Sequence, residues 1–371
     1  MKTIFLSLIL STFFCCKAQE KLNDIPLKEE VKTYSFETVV ADISIPWGIA
    51  WLPDGSMLIT EKSGELYHIQ NKQKTTIKNM PKVVNRGQGG LLDIAVHPEY
   101  ATNGWIYMTY SDDSGEEKGS NTKLIRAKIE NESLTQIEEL YKANPNSTKS
   151  HHFGSRIEFD NEGYLYFTIG DRGSHFENPQ DLTKDGGKVY RLHDDGRIPS
   201  DNPFVGRANA KEAVYSFGHR NPQGMTKNPF TGEIWTHEHG PKGGDELNII
   251  KKAANYGWPV ISYGINYDGS VLTKLTEKDG MEQPLYYWLP SIAPSGMTFV
   301  SSDIYPDWKG DLLVGSLVFQ YLELVKLKDN KVIERQKIAT DIGRLRDVMQ
   351  GPDGYIYMAV EGKGILKIIP N

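Results

Sequence analysis

Only two cysteines occur in the 371 residues, Cys15 and Cys16, and both lie in the first segment of the chain. From Lys17 onward there is no thiol, which excludes a disulfide framework and a cysteine metal site. Long apolar runs are equally scarce. The run from Ile4 to Cys16 is too short to span a bilayer, and no later one is longer. No G-x-G-x-x-G opens a strand–helix unit, which argues against a nicotinamide cofactor on a Rossmann domain. No H-E-x-x-H is present, and no amphipathic helix of useful length stands out. Positive charge is in deficit, with 42 Lys and Arg against 48 Asp and Glu and a formal charge of −6. That balance argues against general nucleic-acid binding, which needs a basic face.

What is present begins with a targeting signature. Met1-Lys2-Thr3, the apolar run to Cys16 and Lys17-Ala18 read as a secretory signal peptide cleaved after Ala18. Its removal takes two positive charges and leaves −8. A lipoprotein reading would use Cys15 or Cys16, but bulky Phe13 and Phe14 precede them. The expected location is periplasmic or secreted. Residues 19–45 form a polar lead-in with a strand near Phe36 to Ile43, placed to pair with the C-terminal strand. From Pro46 to the end a unit recurs: apolar strand, turn with glycine, apolar strand. Copies begin at Trp47, Leu91, His151, Pro222, Ser295 and Leu345. A hairpin cannot bury its apolar face alone, so the copies must stack round an axis. Six copies predict an all-β, six-bladed β-propeller over residues 46–371, with a β-sandwich carrying long insertions as the alternative.

Only the third copy opens on a histidine pair, His151-His152, at the head of HHFGSRIEFDNEGYLYFTIGDRG. Histidine titrates near neutral pH and accepts protons from hydroxyls, although a loop histidine can equally be structural. Arg220 and Asn221 stand before the proline that opens the fourth copy. They offer a planar cationic fork and an amide, or an Asn-Pro turn. His237 and His239 alternate on one strand face. Glu238, Asp245 and Glu246 cluster among glycines, which suits either oxygen ligands for calcium or a solvated acidic turn. Arg344 and Arg346 alternate too, implying an anion or buried acids nearby, or a surface pair with separate partners. Gln88, His152, Arg220 and Arg344 all lie in loops leading into a repeat, and in a propeller such loops converge on one face.

The ordered motifs GQGGLLDIAVHP, HHFGSRIEFDNEGYLYFTIGDRG, YSFGHRNPQGM, EHGPKGGDELN, NYGWP, PSIAPSGM and GRLRDV resemble the soluble quinone-dependent glucose/sorbosone dehydrogenases, and among them the periplasmic aldose sugar dehydrogenases. The resemblance runs from about Pro46 to the C-terminus. It implies a six-bladed propeller carrying pyrroloquinoline quinone and calcium, and oxidation of aldoses to lactones. His152 would be the general base, with Gln88 and Arg220 beside the sugar and the reactive quinone carbonyl. Asn221, Ser291, Arg344 and Arg346 would hold the cofactor. Gly240 and Pro241 would bind calcium through backbone carbonyls, and Asp245, Glu246 and Tyr256 match a second calcium region of some relatives. Two positions depart from the glucose dehydrogenase branch. His151 stands where that branch has an aspartate, and Val318 where it has a lysine after Ser316-Leu317.

Oxidising a hemiacetal carbon removes a proton from oxygen and a hydride from carbon. A histidine can take the first, and only a cofactor the second. The expected partners are therefore an aldose and a periplasmic electron acceptor, with the chain as monomer or homodimer and without a transmembrane segment. Rival readings are a calcium-dependent lactone hydrolase and a non-catalytic binding propeller, the latter favoured by Val318.

Overall fold

The computed structural model describes residues 25–30 and 34–371. The expected signal peptide and its cleavage point lie outside the described residues. Six small sheets make up the molecule. Their innermost strands are Pro46–Trp51, Leu91–Val96, Ile157–Phe159, Pro222–Lys227, Pro294–Phe299 and Leu345–Gln350. Each packs beside the next, and the sixth returns to the first, so the ring is closed. This is the six-bladed β-propeller that the repeats predict. Each recurring unit supplies the inner hairpin of one blade. The remaining strands form the outer half of each blade, as in Asn121–Glu130 with Ser133–Lys142. Among the described residues helix is confined to single turns at Tyr100–Asn103 and Pro306–Trp308.

The hydrophobic core is divided among the junctions between blades. Leu58 and Leu66 of blade 1 pack on Ile94 and Met108 of blade 2. Trp235 and Leu247 of blade 4 pack on Phe299 and Leu312 of blade 5. The other four junctions are built the same way. Both faces of an inner hairpin are therefore apolar, because each is covered by a different neighbour.

The strand expected near Phe36 to Ile43 spans Tyr34–Val40 and pairs antiparallel with Gly364–Pro370. The last blade thus takes its outermost strand from the start of the chain. Leu27–Lys28 adds to blade 5, parallel to Lys331–Ala339. Every inner strand runs in the same sense from its entry loop, which brings the loops holding Gln88, His152, Arg220 and Arg344 to one end of the axis.

Candidate functional site

His152 sits in a left-handed backbone conformation, φ 59°, that non-glycine residues adopt rarely. Three contacts hold it there. The Gln88 side-chain oxygen accepts the His152 backbone N–H at 2.7 Å. Gly170 lies directly under the His152 carbonyl, where a Cβ would collide, and that same Cβ would stand 2.7 Å from Asn221 Oδ1. Arg172, fully buried, lays its guanidinium over Phe153 at 3.5 Å and donates to the carbonyls of His151, Lys149 and Ser120.

The His152 ring is fixed by Asp171, whose Oδ1 lies 2.7 Å from Nδ1. Asp171 Oδ2 accepts from Trp258 Nε1 at 2.9 Å, and its Oδ1 also accepts the Gly173 N–H. Burial pushes the Asp171 carboxyl up, but the bond from His152 and the charges of His152 and Arg220 outweigh it and hold the group below its ordinary value. An ionised Asp171 fixes Nδ1 as the N–H and leaves Nε2 as the proton acceptor. Burial lowers the His152 pKa to about 4, opposed by Asp171 and reinforced by Arg220. Asp171, at the far end of the same hairpin, thus orients the His152 ring although position 151 holds no aspartate. His151 instead sets its ring edge-on to His152, centroids 4.5 Å apart. Asp171 and Arg172 carry little sign of this role in the sequence. Their one signal was the GDRG that closes the only repeat with a histidine pair.

Arg220 reaches the same space. Its backbone N–H donates to Glu238 at 2.6 Å and its guanidinium to the His239 carbonyl at 3.0 Å, with Trp258 5.3 Å away. Burial lowers the His239 pKa well below the ordinary value, so that ring is neutral, and its Nε2 lies 2.7 Å from the Pro294 carbonyl. Arg344 and Arg346 converge on one acid, Glu361, at 3.0 and 2.5 Å. Their alternation therefore has an acid nearby, half-buried rather than buried, and one positive charge is left over.

Other expected contacts turn inward. Asn221 is fully buried, accepting the Gly154 N–H at 3.0 Å and donating to Gln223 at 3.2 Å, which fixes the loop after His152. The Ser291 hydroxyl lies 2.7 Å from both oxygens of Asp245. Asp245 also accepts from the backbone of Gly240, Ile292 and Ala293 at 2.7 to 2.9 Å. Its carboxylate clamps two turns and has its lone pairs engaged. The Tyr256 hydroxyl donates to the Ile249 carbonyl and accepts the Lys251 N–H, while its ring stacks on His219. The side-chain oxygens of Asp245 and Tyr256 thus hold protein rather than standing open to a metal.

Glu246 behaves differently. It is half-buried opposite the buried Glu238, its cross-strand partner, with Asn248 Nδ2 3.3 Å from each carboxylate. Burial, then the charge of Glu238, raises the Glu246 pKa well above the ordinary value. Both acids line a narrow cavity with Arg220, Gly240 and Trp258. Among the described residues no three His, Cys, Asp or Glu side chains are grouped to hold a metal ion. A metal here would depend on backbone carbonyls, and the carbonyls of Gly243 and Gly244 do crowd the space facing the Gly240 Cα. Hard oxygen donors of this kind suit calcium. The uncompensated cation beside Glu361, with the fixed His152, suits an acidic cofactor at the axis.

Residues 43–367 match the family model for glucose/sorbosone dehydrogenases. Aldose sugar dehydrogenase YliI of Escherichia coli is 39% identical over 349 residues, 91% of this chain and 94% of that protein. The apo crystal structure of the soluble aldose sugar dehydrogenase from Escherichia coli superposes with a TM-score of 0.87 at 37% identity, covering 91% of this chain and all of that one. The quinone-bound (PQQ) structure of the aldose sugar dehydrogenase from Streptomyces coelicolor gives a TM-score of 0.74 at 26% identity, covering 93% and 99%.

Proposed function

The chain belongs to the glucose/sorbosone dehydrogenase family, and from that premise we propose that it oxidises the anomeric carbon of aldose sugars to lactones, with pyrroloquinoline quinone and calcium as cofactors. The observation that carries this reading is the His152–Asp171 pair at 2.7 Å, placed with Arg220 where the entry loops converge.

The quinone, when bound, supplies the hydride acceptor that no protein side chain can provide. The protein's share is to bind, orient and take a proton. His152 Nε2 accepts the proton of the anomeric hydroxyl, and the ionised Asp171 stabilises the imidazolium so formed. Gln88 fixes the His152 backbone and has its amide NH₂ left for the sugar. Arg220 presents a cation beside the base, Arg344 and Arg346 take cofactor carboxylates, and the Gly240 and Pro241 carbonyls hold calcium. Glu246 is the one acidic side chain of the second expected calcium region whose place opposite a second carboxylate, Glu238, calls for a cation. Asn221, Ser291, Asp245 and Tyr256 act one step back, by fixing the loops. The N-terminal signature directs this chemistry to the periplasm or outside the cell, where the electrons pass to an external acceptor. Among the described residues no helix is long and apolar enough to cross a membrane.

The test is to add quinone and calcium to the purified protein and screen aldoses with an artificial dye acceptor. Dye reduction that requires sugar, quinone and calcium together is expected. Lactone hydrolysis without quinone, or quinone binding without sugar-dependent reduction, would replace this reading with one of its rivals.

A further inference from the structure

Lys62 directly follows the second strand of blade 1, Met57–Glu61, on the face that carries the site. It is only 9% exposed, and its ammonium has one protein acceptor, Asn85 Oδ1 at 2.7 Å. An ammonium has three N–H donors, so two remain to be satisfied. The backbone sets it beside the corner of the site that holds Arg344 and Arg346. Ser44 and Ile45 are consecutive, and their carbonyls accept from Gly362 at 2.8 Å and Lys62 at 3.1 Å. One dipeptide thus ties Lys62 to the turn that carries Glu361, the shared partner of Arg344 and Arg346. On the other side, the Lys62 carbonyl accepts the Leu91 N–H at 3.0 Å, next to the loop of Gln88.

Lys62 lines a pocket with Asp42, Glu61 and Glu65 but makes an ion pair with none of them, and the two arginines stand beyond the turn of Glu361. Glu361 already serves both arginines. Glu61 accepts the backbone N–H groups of Ile45 and Ser63 at 3.0 and 2.9 Å, and the Ser63 hydroxyl. Burial, then the nearby Arg346, lowers the Lys62 pKa, as expected for a cation short of counter-charge. Across the site, Val318 is 52% exposed and offers no charge, although the carbonyl of its neighbour Leu317 receives Arg344 at 3.0 Å.

We infer that Lys62 is a cofactor-holding residue, which supplies a carboxylate of the quinone with the cationic contact that Val318 cannot give. This rests on the quinone reading above and extends it to a residue in a different blade from both arginines.

Equilibrium dialysis of pyrroloquinoline quinone against the calcium-loaded full chain tests it without any turnover. Lys62→Met is expected to raise the Kd by about 10- to 100-fold, the range for losing one charged hydrogen bond. Lys62→Arg should stay within a few-fold of the parent, and both variants should melt where the parent melts. A Lys62→Met protein that binds quinone as the parent does overturns the assignment and leaves the quinone reading standing. Lys62→Met and Lys62→Arg losing binding together with thermal stability shows a structural role and also overturns it. A parent chain that binds no quinone overturns the quinone reading, and the role of Lys62 with it.

Discussion

His152 is held in a left-handed backbone, over a glycine, against an aspartate whose own second oxygen is fixed by a tryptophan. Such over-determination is what keeps a strained residue in place, and it points to a ring whose direction matters. Two predictions follow at this scale. His152→Ala should lower aldose turnover by ~10²- to 10⁴-fold while quinone binding stays near the parent level. A variant turning over at the parent rate would remove His152 from the role of base. The second concerns pH. With its pKa lowered to about 4, the imidazole is neutral across the neutral range and can accept a proton without first losing one. kcat/KM should therefore stay level down to about pH 5 and fall with a midpoint near 4 rather than at the ordinary 6.5. Asp171→Asn removes the influence that raises this pKa, so the acid limb should move lower still. Turnover should nevertheless drop ~10²-fold or more, because the amide no longer selects the Nδ1–H tautomer. An acid limb that rises in Asp171→Asn would show that Asp171 does not support the imidazolium.

Below the site, the inner strands are joined by one guanidinium. Arg156 donates to Asp93 of blade 2 and to the carbonyls of Gln223 in blade 4 and Arg346 in blade 6, and lies 3.2 Å from Asp347. It stacks 4.2 Å over Trp47 of blade 1. One cation between two fully buried acids leaves one negative charge in excess. Burial accordingly pushes the Asp347 carboxyl up to about 7, with Arg156 opposing and Asp93 reinforcing, and raises Asp93 as well. Arg156→Met strands both acids and should cost about 3–5 kcal/mol in urea unfolding. The sign of its pH dependence follows. An acid whose folded pKa is raised binds more protons folded than unfolded, so its contribution falls as pH rises from the unfolded value through the folded one. Removing Arg156 raises both pKa values further, so the loss should be larger at pH 8 than at pH 5.5. An equal loss at both would mean that the acids are not what Arg156 stabilises.

At the scale of the whole ring, what the sequence discloses is set by where apolar faces end up. The six inner hairpins are legible because both their faces are buried between blades, which gives dense apolar runs punctuated by turn glycines. Outer strands such as Ser133–Lys142 are half exposed, carry mixed polarity, and leave no comparable pattern. The convergence of Gln88, His152, Arg220 and Arg344 is legible because repetition places equivalent loops at one end. The inward turn of Asn221, Ser291 and Asp245 is not, because the direction of a side chain depends on neighbouring blades that spacing does not specify. Asp171 was hidden for the same reason: it meets His152 only once the hairpin between them has folded.

Ring closure is the last such feature. The chain's start supplies two strands of unequal importance, and truncation can separate them. Leu27–Lys28 edges blade 5, with Ile25 and Leu27 partly buried against the core beside it and surface pairs such as Lys28–Glu334 and Lys337–Glu29. Pairs of that kind contribute about 0–1 kcal/mol each. Tyr34–Val40 instead completes blade 6, places Val40 in the junction with blade 1, and covers the edge of the final strand. Without it, Gly364–Pro370 would present a row of unpaired backbone groups, a template for pairing with another chain. A protein beginning at Tyr34 should melt within a few degrees of one beginning at Ile25. A protein beginning at Asp42 should melt well below both and associate on heating, as read by calorimetry with light scattering. If the two truncations melt alike, the N-terminal strand does not lock the ring, and the inter-blade cores alone keep it closed.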